Sequence, residues 1–154
     1  MDEQRIEIQG GLWLTAETPC WQCGRAAPFA MMMATSGSLW DGDDSMDIDE
    51  PIFINEIGDL PEPVLDQLRD LVPTIWTPAD DSRCQYVRNR CDYCQAFLDD
   101  WHLCKVGGPL IAEGGDAAPG IVAVALEGTP FRLLDADVTF TELGPVLDHL
   151  LQSP

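Results

Sequence analysis

Six cysteines carry most of the chemistry this sequence can offer: Cys20, Cys23, Cys84, Cys91, Cys94 and Cys104. Four of them form two C-x-x-C pairs, Cys20-Trp21-Gln22-Cys23 and Cys91-Asp92-Tyr93-Cys94, with 67 residues between. A C-x-x-C turn lets two thiolates meet one ion while the intervening N–H groups point at sulfur. Two such turns complete a tetrahedral S₄ shell, the arrangement Zn²⁺ prefers. The spacing predicts a zinc site made by Cys20, Cys23, Cys91 and Cys94. Four thiolates leave no open position for water or substrate, so the ion would be structural. Gly24 follows the first pair, where a knuckle often needs a residue that tolerates positive φ. Gln95 stands in that place after the second pair and departs from the pattern.

Other uses of the same residues compete with this reading. A C-x-x-C after a strand is also a redox arrangement. No βαβ pattern surrounds either pair, however, and two pairs exceed what thiol exchange requires. His102 and Cys104 follow Cys94 closely and are alternative ligands in place of a cysteine; a lone His beside Trp101 is more simply a structural or exposed residue. Cys84 and Cys104 read as small buried hydrophobes, or as a pair across neighbouring strands. Signatures of catalysis are missing: there is no G-x-S-x-G, no H-E-x-x-H and no phosphate-cradling glycine loop. Asp99 and Asp100 are adjacent, and neighbours in a strand point to opposite faces, which weakens an acid–base pairing. His149 falls on the polar side of a C-terminal helix. No catalytic residue is assigned, and the chain reads as a non-enzyme.

The 154 residues suit one domain, and a hydrophobic content of 45% is enough for a real core. Twenty-seven acidic against eight basic residues give a net charge of −19. That excess argues against gripping duplex DNA, which needs clustered Lys and Arg, and against an anionic membrane surface. The charged start Met1-Asp2-Glu3-Gln4-Arg5 is not a signal peptide, and the longest apolar run, Ile121 to Leu126, is far short of a bilayer span. Together with the paired thiols this points to the cytoplasm. Arg83, Arg88, Arg90 and Lys105 lie within 23 positions, half of all the basic residues. They form a candidate basic patch, with Tyr86, Tyr93 and Trp101 available for stacking.

The elements that must position the cysteines follow from periodicity. Ile6 and Ile8 alternate with polar neighbours, and Leu12-Trp13-Leu14 follows Gly10-Gly11, predicting one or two short strands over 5–14. Residues 27–34, with Met31 to Met33, read as a buried strand leaving the first pair. Asp41, Asp43, Asp44, Asp47, Asp49 and Glu50 read as an exposed acidic loop within 36–51. It is not an EF-hand, because Met46 stands at the glycine position and Ile52 at the bidentate glutamate. Val64, Leu65, Leu68, Leu71 and Val72 predict a helix over 59–72, with Asp59 as its cap and Glu62 as the N3 acid. Residues 83–90 predict a strand into the second pair, and 96–106 a segment of strand parity out of it. A glycine-rich loop spans 107–120. Ile121 to Leu126 reads as a central strand, and residues 142–151 as a closing helix.

The residues Cys20-Trp21-x-Cys23-Gly24, followed by Tyr86-x-x-Asn89-x-Cys91-x-x-Cys94-x-Ala96-x-x-x-Asp100-x-x-Leu103, resemble a group of small bacterial zinc-ribbon proteins. The likeness covers about residues 18–105; in that group the second knuckle usually reads C-x-x-C-G. It implies the metal site and carries no activity. The expected fold is α+β: a small antiparallel sheet with a zinc-ribbon-like two-knuckle site and two helices. The single domain 1–154 would hold the ribbon-like part at 18–105, the acidic loop and a helix inserted at 36–82, and a strand and helix at 120–152. The expected function is a non-enzymatic acidic zinc-binding interaction protein. A bacterial immunity or inhibitor protein for a basic partner would use such a charge. The alternative is a zinc-ribbon regulator contacting nucleic acid through Arg83, Arg88 and Arg90.

Overall fold

The computed structural model describes residues 4–81, 84–105, 107–111, 118 and 120–140. The closing helix expected at 142–151, His149 and Arg83 lie outside them. β1 (Gln4–Pro19) and β2 (Ala26–Asp41) are each 16 residues long and pair antiparallel from end to end, Gln4 opposite Asp41 and Pro19 opposite Ala26. They are single long strands, not the short ones the sequence suggested. Gly10-Gly11 does not break β1; it sits where the register slips between Ile8 and Gly11. A side chain at Gly11 would collide with the Met33 carbonyl, and one at Gly37 (φ +139°) with that of Glu7. Glycine therefore lets the two backbones stay close through the irregularity.

The outer edges of this hairpin recruit the remaining strands. β3 (Asp44–Asp47) and β4 (Ile52–Asn55) both pair with β2, and β9 (Asp137–Phe140) pairs with β4. β7 (Val122–Ala125) and β8 (Phe131–Leu133) both pair with β1. The seven strands form one sheet, larger than the small sheet expected. The predicted acidic loop is thus largely a β2–β3 hairpin turning at Gly42 (φ +61°). The strand at 121–126 is also corrected: β7 lies at the edge of the sheet, and Val122 is 58% exposed. β8 and β9 lie on opposite edges, yet only residues 134–136 join them. Four inter-strand steps in a flat sheet would separate them by about 19 Å. The chain from 133 to 137 reaches at most about 14 Å. The sheet must therefore curl.

Each face of the sheet carries its own core. Inside the curl, Ile6, Ile8, Met32, Ile54 and Leu133 meet Val64 and Leu68 of α1 (Glu62–Leu71). On the other face, Leu14, Phe29, Met31, Met33 and Phe53 meet Leu98 and Leu103 from the segment around the second cysteine pair. Alternation along β2 sends Met32 one way and Met31 and Met33 the other, which explains an unbroken apolar run. α1 begins later than predicted. Pro61 is its N-cap residue, no side chain caps it, and Asp59 is not the cap. Proline at the start is compatible because the first N–H groups have no helical partner.

The second cysteine pair sits in a short hairpin of β5 (Asn89–Arg90) and β6 (Phe97–Leu98). Residues 96–106 were expected to have strand parity; after β6 they form α2 (Asp100–Cys104) instead. Asp100 is buried, and its Oδ2 accepts the Glu56 N–H at 2.9 Å, tying α2 to the turn after β4. Burial pushes the Asp100 carboxyl up from 3.8 to about 6. The Glu56 N–H opposes that rise, Asp99 adds to it, and Arg88 opposes it again. A folded-state value above the unfolded one means the native state binds the extra proton. Stability from Asp100 is therefore gained as pH falls from about 6 toward 4 and lost as pH rises through that window. Asp100→Asn should flatten the dependence by roughly 2–3 kcal/mol. Glu56 is raised as well, first by its hydrogen bond to Asp137, so its component remains. Urea unfolding at about pH 4.5 and about pH 7.5 checks this; identical pH curves for parent and Asn variant would rule it out.

Candidate metal centre

The β1–β2 turn and the β5–β6 turn present two knuckles of the same build. In the first, the Cys20 N–H donates to the Arg25 carbonyl at 2.8 Å, and the Gly24 N–H to the Cys20 carbonyl at 2.8 Å. In the second, the Cys91 N–H donates to the Ala96 carbonyl at 2.8 Å, and the Gln95 N–H to the Cys91 carbonyl at 3.0 Å. The last residue of each turn is left-handed: Gly24 has φ +77° and Gln95 has φ +65°. The sequence departure at Gln95 is thus absorbed as backbone strain, costing about 1–2 kcal/mol in an L-residue. Gln95→Gly should raise stability by about 1 kcal/mol, read as a higher urea midpoint at unchanged slope. A lower midpoint would show that the Gln95 side chain contributes more than its backbone costs.

The knuckles face each other. Cys20 Sγ lies 3.5 Å from Cys94 Sγ, Cys23 Sγ lies 3.7 Å from Cys91 Sγ, and all four ligand atoms fall within 4.8 Å of one another. The short contacts run between the pairs, so each knuckle contributes to both. Sulfurs about 2.3 Å from a common tetrahedral ion stand about 3.8 Å apart, close to these spacings. A disulfide needs about 2.05 Å, and every cysteine is a free thiol. The Gln22 N–H points at Cys20 Sγ at 3.4 Å, the outer hydrogen bond a thiolate ligand uses. The four thiols can hold one metal ion. Cys20 and Cys91 are buried, Cys94 is partly buried and Cys23 is exposed, so the cluster is reachable from solvent on one side.

The electrostatics prepare one thiolate first. Burial pushes the Cys20 thiol up, but the Cys23 and Gln22 N–H groups and the Cys94 and Cys91 thiols outweigh it and bring it down to about 6. At Cys94 the Ala96 N–H pulls down. Burial and the hydrogen bonds with Cys20, Cys23 and Cys91 win, pushing that thiol up to about 12. A metal ion held by Cys20, Cys23, Cys91 and Cys94 would supply the positive charge for the later thiols to ionise.

Two further ties clasp the knuckles and were not read from the sequence. Trp21 Nε1 donates to the Phe97 carbonyl at 2.8 Å, and the Arg25 guanidinium lies 4.6 Å over the Tyr93 ring. Trp21 and Tyr93 each lie between the two cysteines of a pair, and an aromatic residue in both places is the signal that could have marked them. The proposed ligand substitutes stand apart. His102 is exposed on α2 and outside the thiol cluster. Cys104 is buried in the core, its thiol 3.8 Å from the Trp101 carbonyl. Cys84 donates to the Tyr86 carbonyl at 2.8 Å. Of the predicted basic patch, Arg88 precedes β5 and Arg90 ends it, whereas Lys105 follows α2 and lies 5.3 Å over Trp101.

Among the described residues no helix is long and apolar enough to cross a membrane. Comparison with known proteins returns no matching family model, no similar curated protein and no similar solved structure.

Proposed function

We propose that this chain is a non-enzymatic, acidic recognition protein whose two-knuckle end is stapled by a structural zinc ion. The observation that carries the reading is the convergence of Cys20, Cys23, Cys91 and Cys94 into one S₄ cluster from turns 67 residues apart. Borderline-soft, geometry-tolerant Zn²⁺ suits four thiolates, and a filled shell has no position for substrate. Function then falls to the surface. The β2–β3 hairpin and its exit expose Asp41, Asp43, Asp44, Asp47, Asp49 and Glu50, all solvent-facing, on a scaffold paired to the main sheet. A fixed acidic edge on a chain of charge −19 accelerates encounter with a basic protein, the use an immunity or inhibitor protein makes of charge.

Capture of partners from the native host tests this. The expected partner has a basic surface, and replacing Asp41, Asp43 and Asp44 with Asn slows its association about tenfold at low salt while leaving metal content intact. A partner whose association rate ignores both salt and those substitutions would sink the reading.

A further inference from the structure

The segment before the second knuckle builds a surface unlike the rest of this acidic molecule. Trp76 and Arg88 exchange backbone hydrogen bonds, the Trp76 N–H donating at 3.1 Å and the Arg88 N–H at 2.9 Å. Arg90 stands opposite Phe97 in the β5–β6 hairpin. Directly opposed residues share a face, and so do residues two apart along a strand. One face of this miniature three-stranded sheet therefore presents Tyr86, Arg88, Arg90, Trp76 and Phe97. The other turns Val87, Asn89 and Leu98 into the core, where all three are buried.

Contacts across that face alternate ring and cation. The Arg88 guanidinium lies 5.2 Å from the Tyr86 ring and 4.6 Å from the Phe97 ring. Phe97 meets Trp76 edge to face at 6.0 Å, and Arg90 stacks 3.9 Å over Trp76. No ion pair joins Arg88 or Arg90 to a carboxylate among the described residues, in a chain with 27 acidic groups. Asp100 acts on Arg88 only through space. Arg90 is 8% exposed, and the Nε–H groups of both arginines are buried without an acceptor. Rings, not carboxylates, hold both cations, so their charge is left for an anion outside the molecule.

We infer that this face is a second recognition surface, distinct from the acidic hairpin, and that it takes single-stranded nucleic acid. Flat rings and guanidinium planes stack any base, and two guanidinium charges with no carboxylate partner suit a phosphate backbone. A duplex hides its base faces and carries denser charge, which the −19 of the whole chain repels. A single strand offers bases to stack and about three-quarters of the salt slope per contact.

The test uses the full-length, metal-loaded chain with a fluorescein-labelled 12-nucleotide oligothymidine, followed by anisotropy. Binding should fall in the micromolar range at low salt and weaken roughly 25-fold for a tenfold rise in salt, the slope of two phosphate contacts. The matching duplex should bind at least about tenfold more weakly. Arg88→Ala and the conservative Phe97→Leu should each cost about tenfold, with zinc content and melting unchanged. Arg88→Lys retains the charge without the plane and should lose most of that factor. The inference is overturned by any of four results: no binding at low salt, equal affinity for the duplex, full affinity in Arg88→Ala and Phe97→Leu, or displacement by polyglutamate as effective as by unlabelled oligothymidine. The last would assign the arginines to an acidic protein partner.

Discussion

Replacing Cys91 with serine should abolish binding of the proposed metal ion and take much of the protein's stability with it. Cys91 is fully buried, its Sγ lies 3.7 Å from that of Cys23, and its backbone closes the second knuckle through Ala96. Serine removes one of the four thiol ligands and leaves three, too few to close an S₄ shell. Binding free energy at such a site is folding free energy, because the unfolded chain has no preformed cluster. Loss of a structural metal belongs among the few single-residue changes that exceed about 4–5 kcal/mol. In a chain of this size the unfolding midpoint should drop by roughly 10–20 °C. Elemental analysis should show well under one metal ion per chain, and calorimetry should show the shifted melt. Cys84→Ser is the control: that thiol donates to the Tyr86 carbonyl outside the cluster, so metal content like the parent's is expected. A metal-free Cys91→Ser protein that melts like the parent would refute the coupling.

The second large effect is expected at Asn89. β2 pairs with β4 only over Met32 to Ala34, so among the described residues no strand pairs with its edge near Ala30. The Asn89 side chain fills that place. Its Nδ2 donates to the Ala30 carbonyl at 2.9 Å, and its Oδ1 accepts the Ala30 N–H at 3.0 Å, with both residues buried. The carboxamide acts as a one-residue strand that docks the second hairpin on the sheet. Asn89→Ala orphans two buried backbone groups, each costing about 1–3 kcal/mol, so a loss of about 2–4 kcal/mol is expected. Asn89→Asp keeps the acceptor, deletes the donor and buries a charge, and should be at least as damaging. Urea unfolding measures both, and metal content at room temperature should stay at the parent's level. An alanine variant within about 0.5 kcal/mol of the parent would mean that the docking does not depend on this amide.

Much of the metal end was legible because thiol chemistry is specific to residue type and spacing. Two C-x-x-C motifs suggest one cluster across any intervening length, and the structure brings Cys20, Cys23, Cys91 and Cys94 together from knuckles that match bond for bond. The sheet was less legible. Gly10-Gly11 has the local signature of a turn, but the register of β2 opposite decides that it is a slip within a longer strand. Asp41 to Asp47 looks like a solvated loop because edge strands are kept charged, and charge alone does not distinguish a loop from an edge hairpin. The Ile121 to Leu126 run suggested a centre; its place at the edge follows from β1, whose other side is already taken by β2. Residues 100–104 form a helix whose first residue, Asp100, accepts the Glu56 N–H, a contact invisible without the fold. The arginine and aromatic face was half visible in the parity of Tyr86, Arg88 and Arg90. Trp76 and Phe97 join it only through cross-strand pairing.

The three consecutive methionines of β2 have a consequence for how the molecule fails. Met32 belongs to the layer under α1, while Met31 and Met33 belong to the layer behind the knuckles. A disturbance entering from either side must therefore shift the same three backbone units before it can go further. Neither layer can loosen alone, so damage at the thiol end is felt inside the curl, and heating should dismantle both in a single step.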